Sequence, residues 1–347
     1  MSQSLDAHQR PPTHLRNVYK KFQKLRGSAL ESDPDLLDLT RPTTRDQLRV
    51  IRTIDPANTH ILFQEFARAE SSATEPLAAP IASAPVPVYE HPHMPGLHVI
   101  PSLFPPEIQR LLLSRLIHRD LSDQTHKTNV HMHYEVPYPP GQSFFSMAPS
   151  SEPLFLPKDP TVHKPLSINQ FLNRKLRWVT LGGQYDWTEK VYPSTLPPLF
   201  PPDVGELLHG LFPDMKAEAA IVNFYTPGDT LSMHRDVSEE CERGLVSVSI
   251  GCDGIFVIGR NSDDETDPSQ VLTLRLRSGD AVYMTGESRF AWHGVPQVIP
   301  KTCPEWLRDW PASSAVDAQG EPSECYEQWK GWMQTKRINI NVRQMRD

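Results

Sequence analysis

The C-terminal part of this sequence predicts an antiparallel β sandwich or jelly roll, with a helical extension before it and helices flanking it. From about residue 217, short strand-like runs follow closely, at 218–225, 244–250, 254–259, 271–277, 280–285 and 336–343. Pro-Gly, Gly-containing and Ser-Gly-Asp segments separate these runs, as expected for turns. Helical periodicity is weak here and no internal repeat is visible, so we predict a mainly β, α+β protein.

Composition limits the class of protein. The chain has 347 residues, 38% hydrophobic and 22% charged, enough for one large domain with an extension or for two ordinary domains. No apolar run reaches the roughly 18 residues that predict a membrane span. Four cysteines without a C-x-x-C pair indicate a reducing compartment. The net charge of −7 argues against non-specific coating of nucleic acid, although a local basic groove is compatible with it.

The N-terminal residues 1–95 are predicted to be an extension, and residues 96–347 the main domain. Residues 1–14 look disordered, and residues 15–26, LRNVYKKFQKLR, predict a basic amphipathic helix. Residues 1–26 contain six Lys/Arg and one acid. A docking helix with a solvated basic face, a nucleic-acid contact and a mitochondrial presequence all fit this pattern.

Proline shapes the middle of the chain. There are 35 prolines in 347 residues, about twice the usual share of roughly 5%. Residues 70–96 predict a linker, and residues 134–165 predict irregular structure. Pro105-Pro106 suits the first turn of a helix, which we predict over 105–118.

The string His234-Arg235-Asp236 is the first candidate for chemistry. In an extended chain, residues i and i+2 point to one side with Cα atoms about 6.6 Å apart, so both side chains can reach one ion. His293, 57 residues after Asp236, is the candidate third ligand. Two histidines and one carboxylate form the facial set that binds non-haem iron(II) and leaves positions open for a co-substrate and O2.

The same H-x-D pattern also occurs at His118-Arg119-Asp120, where we predict only a polar helix C-terminus. Both copies spell the triplet of kinase catalytic loops, but Thr125 replaces the asparagine required after the first copy and no Gly-rich loop accompanies it, so a kinase is excluded. Two other histidine pairs lack a matching carboxylate and are not predicted to bind metal: His91/His93 and His131/His133.

The C-terminal run 337–343, RININVR, alternates strictly between polar and apolar side chains. It is either an edge strand with a wet polar face or a strand whose polar face lines a barrel mouth and binds an acidic ligand. Arg337 and Arg343 lie about 20 Å apart along such a strand. They either bracket a short dicarboxylate such as 2-oxoglutarate, or one binds the ligand while the other pairs with Asp236.

Several motifs together resemble the AlkB family of nucleic-acid dioxygenases. The run 223–236, NFYTPGDTLSMHRD, has the family's N-x-Y-x-P-G followed by L-S-x-H-x-D. Further matches follow in order: SVSIG (247–251), SGD (278–280), GESR (286–289) and the terminal R-x-N-x-x-x-R. A looser similarity to the eukaryotic AlkB homologue one branch extends backwards over WVTLG (178–182), YDW (185–187) and KAEA (216–219).

This resemblance implies a double-stranded β-helix (jelly-roll) core, with its motifs in 217–347. It implies iron(II) bound by His234, Asp236 and His293, and 2-oxoglutarate contacted by Asn223, Tyr225, Arg337, Asn339 and Arg343. It implies a nucleotide lid at about 176–195, whose stacking candidates are Trp178, Tyr185, Trp187 and Tyr192. The implied reaction is oxidative demethylation of N-methylated bases, methyladenine foremost, in DNA or RNA including tRNA. It consumes O2 and 2-oxoglutarate and releases formaldehyde, succinate and CO2.

Alternatives remain open at the substrate side. The lid aromatics fit ordinary core packing as well as base stacking. Nearby cations fit phosphate contacts or solvated surface charge: Arg174, Lys175, Arg177 and Lys190. The acidic insert 261–270 would repel phosphate if it faced the groove, and 300–335 is predicted to be a branch-specific insertion.

Two other functions compete with a demethylase of nucleic acids. The first is a hydroxylase that uses the same chemistry on protein side chains or small molecules. The second is a nucleic-acid-binding module without turnover, against which the complete metal set and arginine strand argue. We expect an intracellular monomer of the nucleus or cytoplasm, with the mitochondrion as an alternative, and no membrane association.

Overall fold

The computed structural model describes residues 5–6, 8–69, 84–152, 154–187, 189–261, 271–312 and 324–347. Its α-helices are α1 (Thr13–Lys24), α2 (Gly27–Glu31), α3 (Pro42–Arg45), α4 (Pro56–Arg68), α5 (Pro106–Ser114), α6 (Ile168–Gln170) and α7 (Pro202–Leu211). Its strands are β1 (Leu36–Leu37), β2 (Arg49–Ile54), β3 (Val86–Glu90), β4 (Leu97–Ile100), β5 (Trp178–Gly182), β6 (Ala219–Tyr225), β7 (Leu231–His234), β8 (Leu245–Gly251), β9 (Gly254–Gly259), β10 (Val271–Leu276), β11 (Ala281–Met284), β12 (Trp292–Val298) and β13 (Arg337–Arg343).

Two sheets form the core of the described part of the chain. The larger has eight strands in the order β2-β3-β4-β11-β8-β13-β6-β5, and the smaller has five in the order β1-β10-β9-β12-β7. Apart from the short parallel β1–β10 pair, neighbouring strands are antiparallel. Residues of both sheets line one cavity, as in a jelly roll, so the predicted fold class is confirmed.

The C-terminal strand β13 lies inside the larger sheet and pairs with both β6 and β8. Its apolar side chains, Ile338, Ile340 and Val342, enter the main hydrophobic core, as the alternation predicts. The opposite face carries the two arginines, which are also buried. The alternative of an edge strand with a wet polar face is therefore wrong.

Helices α4, α5 and α7 pack on the apolar side of the larger sheet. Their core side chains include Phe63, Ile108, Leu112 and Leu208, none more than 1% exposed. Each such burial contributes roughly 1.5–3 kcal/mol, which holds the sheet in place behind the cavity. The helix predicted over 105–118 is α-helical only over Pro106–Ser114. A π-helical turn continues it over Arg115–Asp120.

The basic N-terminal helix α1 packs against β12, β9 and β7 of the smaller sheet. Leu15, Tyr19 and Phe22 are buried in that contact, while the basic face of the helix is exposed. The side-chain amide of Gln297 donates to the carbonyl oxygens of Phe22 and Leu25, which fixes the C-terminal end of the helix. The helix therefore docks on the smaller sheet with its basic face outward, in the arrangement that the docking-helix alternative describes.

Some elements differ from the prediction. Residues 86–90, predicted as linker, form β3, because Val88 and Tyr89 find buried places beside β4. Residues 1–4, 70–83, most of the acidic insert (262–270) and 313–323 of the predicted insertion lie outside the described residues. The division at residue 95 stays a prediction, although β2 and β3 extend the larger sheet. Every helix that the structure describes is too short or too polar to cross a bilayer.

Candidate active site

Two antiparallel strands bring the predicted metal ligands together. His234, the last residue of β7, is the register partner of His293 on β12, and their ring centroids are 4.4 Å apart. Asp236 follows just after β7. Its carboxylate oxygens lie 3.7 Å from Nε2 of His234 and 3.7 Å from Nε2 of His293. The three side chains place one ligand atom each within 4.8 Å of one another.

Hydrogen bonds orient both imidazoles. Nδ1 of His234 donates to the carbonyl of Ser232 (2.9 Å), and Nδ1 of His293 donates to the carbonyl of Ala291 (3.0 Å). A carbonyl only accepts, so the proton of the neutral ring is on Nδ1 and the lone pair is on Nε2. Burial and His234 lower the pKa of His293 to about 4, so this ring is neutral. The arrangement is the one that metal-binding histidines use.

Asp236 is held ionised by its surroundings. Burial raises the pKa of Asp236, but the positive charge of Arg343 lowers it by more, so the net pKa lies below the usual range of a carboxyl group. Nη2 of Arg343 lies 3.3 Å from Oδ2 of Asp236. An anionic carboxylate beside two neutral imidazole nitrogens is the donor set that suits iron(II).

Glu239 joins two arginines behind the predicted metal ligands. Its side chain is 1% exposed, and its carboxylate oxygens lie 3.2 Å from Nη1 of Arg343 and 3.1 Å from Nη2 of Arg289. Nη1 of Arg289 also donates to the backbone carbonyl of Asp236 (2.9 Å). This network therefore fixes both the carboxylate and the backbone of Asp236.

A cavity of about 370 Å³ opens beside the three ligands. Apolar side chains of the smaller sheet, including Leu231, Phe256 and Val295, form part of its wall. Its polar lining on the larger sheet includes four of the predicted site residues: Asn223, Arg337, Asn339 and Arg343. Apolar walls around a few placed polar groups are typical of a small-molecule site.

Arg337 is a buried cation without an acidic partner among the described residues. Its guanidinium donates to the carbonyl of Cys252 (3.2 Å) and to Oγ of Ser249 (2.8 Å), and its Nε has no partner. Tyr225, its register partner on β6, has a buried hydroxyl group that also lacks a partner, although Tyr225 does not line the cavity. An unpaired buried charge is costly, so this pair fits a site for a carboxylate ligand.

Arg343 behaves differently from Arg337. Arg343 pairs with Asp236 and Glu239, which corresponds to the second alternative for the arginine strand. Between the two arginines, the amide nitrogen of Asn339 donates to Oγ of Ser247 (3.0 Å). Its amide oxygen therefore remains as the acceptor of this side chain.

The predicted lid residues form an aromatic chain at the cavity mouth. Tyr185 and Trp187 line the cavity, and their rings are 5.1 Å apart. Trp178 packs against Trp187 at 5.1 Å, and Tyr192 packs against Tyr185 at 5.2 Å. The hydroxyl of Tyr192 accepts a hydrogen bond from Arg343 (3.4 Å). Trp187 is 36% exposed, so its ring is accessible to a ligand. From outside the cavity, Trp178 supports Trp187 and Tyr192 supports Tyr185.

The predicted cations near the lid have different environments. Lys190 lines the cavity, whereas Arg177 is paired with Asp229 at the β6–β7 turn. Arg174 and Lys175 are exposed. Arg174 and Lys175 are thus accessible to phosphate from solvent, and Lys190 lies beside the cavity.

The second H-x-D triplet lies in the π-helical turn that follows α5. His118 stacks between Trp310 and Tyr326, at centroid distances of 5.0 and 4.3 Å. Asp120 is paired with Arg119 of the same turn. No metal cluster forms there or at the other histidine pairs among the described residues.

Glu239 was not singled out from the sequence. An acid in a loop is usually solvated, and nothing local distinguishes Glu239 from its neighbour Glu240. Arg289 was noted within GESR but without a role. Only tertiary contacts connect Glu239 to Arg343, and Arg289 to Glu239 and the backbone of Asp236.

Comparison with known proteins identifies the relatives of this chain. The profile of the 2OG-Fe(II) oxygenase superfamily matches residues 96–343. The N6-methyladenosine RNA demethylase ALKB1 of Pyricularia oryzae is 49% identical, over 99% of this chain and 98% of that protein. The N6-methyladenosine RNA demethylase ALKBH of Cryphonectria parasitica is 56% identical, over 63% of this chain and 100% of that protein. The tRNA demethylase abh1 of Schizosaccharomyces pombe is 39% identical, over 75% of this chain and 82% of that protein.

Proposed function

The chain belongs to the AlkB family of the 2OG-Fe(II) oxygenase superfamily, and from this premise we propose that it demethylates N-methylated bases, N6-methyladenine foremost, in RNA or DNA. Its cofactors are iron(II), 2-oxoglutarate and O2. The observation that carries the proposal is the joint placement of His234, Asp236 and His293 beside a cavity that ends at the unpaired Arg337. Relatives that act on N6-methyladenosine RNA and on tRNA support RNA as the polymer.

In this proposal, the metal ligands are Nε2 of His234, a carboxylate oxygen of Asp236 and Nε2 of His293. Iron(II) bound there supplies the redox chemistry by which O2 and 2-oxoglutarate oxidise an N-methyl carbon. The chain keeps the three ligands in the correct protonation state, because carbonyl groups hold the histidine protons on Nδ1 and Arg343 keeps Asp236 anionic. The two positive charges of bound iron(II) and the one negative charge of Asp236 would leave the site with a net charge of about +1, because the histidine ligands are neutral. This net positive charge would attract an acidic co-substrate.

Arg337 and Tyr225 are proposed to hold the distal carboxylate of 2-oxoglutarate. Both present buried polar atoms without partners, and both would gain charge-assisted hydrogen bonds from a carboxylate. Asn339 and Asn223, register partners on β13 and β6, line the cavity between this end and the metal ligands. Arg343 is proposed to position Asp236 and to face the cavity at its other end.

The substrate base is proposed to enter past Tyr185 and Trp187. Both rings line the cavity mouth, and every base offers a π face on which such rings stack. A base inside a duplex cannot reach the metal ligands, so single-stranded or extruded bases are the expected substrates. The apolar wall formed by Leu231, Phe256 and Val295 excludes water from the N-methyl group during oxidation.

Turnover of a methylated oligonucleotide tests this proposal. We expect formaldehyde and succinate in equal amounts when the protein receives iron(II), 2-oxoglutarate and an RNA oligonucleotide with one N6-methyladenine, and neither product from His234→Ala. The same sequence as DNA measures the preference for polymer. Succinate without formaldehyde would support the competing hydroxylase of proteins or small molecules. Binding of the oligonucleotide without either product would support the binding module.

We also propose that the enzyme is an intracellular monomer. Cys241, Cys252 and Cys303 carry free thiols, which fits a reducing compartment such as the nucleus, cytoplasm or mitochondrial matrix. Light scattering coupled to size-exclusion chromatography tests the oligomeric state. A mass near 39.4 kDa supports a monomer, and twice that mass contradicts it.

A further inference from the structure

Ser238 lies two residues after the proposed metal ligand Asp236 and lines the same cavity. Its neighbour Glu239 belongs to the arginine network behind the site. The half-buried side chain of Ser238 reaches the lid instead. Its hydroxyl oxygen lies 2.8 Å from the carbonyl oxygen of Lys190 and 3.4 Å from the hydroxyl oxygen of Tyr185. One short loop therefore carries a metal ligand, a member of the arginine network and a contact with the lid.

The two hydrogen bonds of Ser238 have fixed directions. A serine hydroxyl carries one hydrogen and the carbonyl of Lys190 only accepts, so Ser238 donates to Lys190. The hydroxyl of Tyr185 must then donate to the oxygen of Ser238. Ser238 thus connects a residue before Trp187 with a residue after it, and it holds the two arms of the lid together.

The lid contains a narrow turn that needs such support. The backbone nitrogen of Asp186 donates to the carbonyl of Val191 (2.9 Å), and these two residues form a β-bridge on either side of Trp187. Lys190 has a φ of +56°, in the left-handed region that residues with a side chain rarely adopt. Such a conformation persists only where surrounding contacts fix it, and it is most frequent at functional sites. The hydroxyl of Ser238 holds the carbonyl group of this strained residue.

A second contact connects the lid to the candidate metal site. The hydroxyl of Tyr192 accepts a hydrogen bond from Arg343, which also pairs with Asp236. Ser238 and Arg343 therefore hold the lid at two points, both next to Asp236 in sequence or in space. Two such contacts keep the ring of Trp187 at a fixed place relative to the cavity, which pre-organises it for a ligand.

We propose that Ser238 is a positioning residue that latches the lid to the loop of Asp236, and thereby sets where the rings of Tyr185 and Trp187 meet the substrate base. Ser238 acts through the backbone of Lys190. Without the latch the rings would occupy several positions, and ordering them would consume part of the free energy of substrate binding. The effect on substrate rests on the proposed function, whereas the latch itself exists without turnover.

Limited digestion with trypsin tests the latch directly, because trypsin cleaves after Lys190, at the carbonyl that Ser238 binds. We expect Ser238→Ala to be cut there about two- to tenfold faster than the wild type, as for the loss of one hydrogen bond. Ser238→Thr keeps a hydroxyl group and should restore the wild-type rate. Lys301 is the internal control, since it is exposed, has a φ of +65° and lies in a different loop. Mass spectrometry should show equal cleavage after Lys301 in all three proteins.

Binding of the methylated RNA oligonucleotide measures the effect on substrate. Fluorescence anisotropy in the absence of O2 should give a Kd about two- to tenfold higher for Ser238→Ala than for the wild type, and a recovered Kd for Ser238→Thr. The KM for 2-oxoglutarate should stay constant, because the latch lies outside the proposed site of its carboxylate. Ser146→Ala is the matched control and should bind RNA as the wild type does. The Ser146 hydroxyl also donates to a backbone carbonyl, that of Ser143 (2.7 Å), but Ser146 does not line the cavity.

Three results would overturn the inference. The first is equal cleavage after Lys190 in the wild type and Ser238→Ala. The second is weaker RNA binding by Ser238→Ala with unchanged cleavage, because Ser238 would then contact the base directly. The third is faster cleavage with unchanged RNA binding, because the latch would not serve the substrate.

Failure of the proposed function gives a different result. A wild-type protein that releases no formaldehyde from the methylated oligonucleotide contradicts the proposed demethylation. Faster cleavage after Lys190 together with weaker RNA binding in Ser238→Ala would still support the latch in that case, because neither measurement requires turnover.

Discussion

Arg343, near the C-terminus, lies 3.3 Å from the carboxylate of Asp236, more than 100 residues earlier in the chain. The arginine side chain is 4% exposed and the aspartate side chain 14%. This contact orients the carboxylate of Asp236, a loop residue after β7, toward His234 and His293. It also distinguishes the two arginines of β13: Arg343 contacts the proposed metal ligand Asp236, and Arg337 is the one that we propose binds the acidic co-substrate.

Arg343→Met should destabilise the protein strongly, because it removes the arginine beside the buried carboxylate of Asp236 and leaves Glu239 with Arg289 alone. Breaking a buried pair from one side typically costs about 3–5 kcal/mol. Urea unfolding measures the loss, and Arg346→Met is the control. Arg346 pairs with Glu240 where both side chains are at least 60% exposed, so that variant should change stability little. Equal stability of the two variants would refute the role given to Arg343.

Glu239→Gln should keep the shape of the network but remove the charge that balances Arg289 and Arg343. Changes beside metal ligands typically reduce metal affinity or activity by about 10–100-fold. Iron affinity and turnover should therefore both fall in this variant. Glu240→Gln alters the neighbouring exposed acid and should leave both quantities unchanged. A Glu239→Gln protein with wild-type iron affinity and turnover would show that the network has no positioning role.

Arg337→Lys should raise the KM for 2-oxoglutarate, because an ammonium group cannot reproduce the planar, two-point contact of a guanidinium with a carboxylate. Losing a hydrogen bond to a charged group costs about 1.5–3 kcal/mol, or roughly 10- to 150-fold in KM. Steady-state kinetics with varied 2-oxoglutarate measure the change, and the KM for the oligonucleotide should stay constant. Arg308→Lys is the control, since Arg308 is exposed and does not line the cavity. An unchanged KM for 2-oxoglutarate in Arg337→Lys contradicts the assignment.

Trp187→Ala should raise the KM for the methylated oligonucleotide and leave the KM for 2-oxoglutarate unchanged. Stacking of one base on an aromatic ring contributes about 1–3 kcal/mol, so the expected increase is roughly 5- to 150-fold. Trp187→Phe keeps an aromatic face and should recover most of the affinity. If the alanine variant binds oligonucleotides as tightly as the wild type does, Trp187 does not stack on the base. The alternative that the lid aromatics serve only core packing would then be correct.

His118 should make the fold sensitive to acid. Burial lowers the pKa of His118 from 6.5 to about 4, so between those values the unfolded chain binds a proton that the folded protein does not. This contribution is absent above pH 6.5 and destabilises the fold as pH falls towards 4, by about 1.4 kcal/mol per pH unit. Urea midpoints at several pH values should fall less steeply for His118→Phe, which retains the ring stacking. Identical slopes in the two proteins would contradict this origin.

The parts of the fold that could be predicted share a strong local pattern. The alternation of 337–343 locates a strand, and H-x-D places two ligands on one side because extended chain has a period of two. Strands β7 and β12 lack such a pattern. The first has only four residues, and the second contains Gly294 and Pro296 at an irregular register with β9.

Tertiary charge pairing could not be predicted from the chain. Glu239 and Arg343 are 104 residues apart, and their contact depends on the order of strands in the larger sheet. The same holds for α1: the sequence predicts its basic and apolar faces, but its contact with β9 and β12 depends on the folded sheet. The sequence therefore predicts the candidate metal ligands themselves. The buried charge pairs that hold them in place can be identified only in the folded protein.

Iron stoichiometry under anaerobic conditions tests the central claim most directly. Equilibrium dialysis against iron(II) should give one iron per chain for the wild type and for His118→Phe, whose triplet His118-Arg119-Asp120 shares the H-x-D pattern. His234→Ala and His293→Ala should each lose most of that iron while remaining folded. Full wild-type iron affinity in His293→Ala, or its loss in His118→Phe, would contradict the assignment of His234, Asp236 and His293 as the metal ligands.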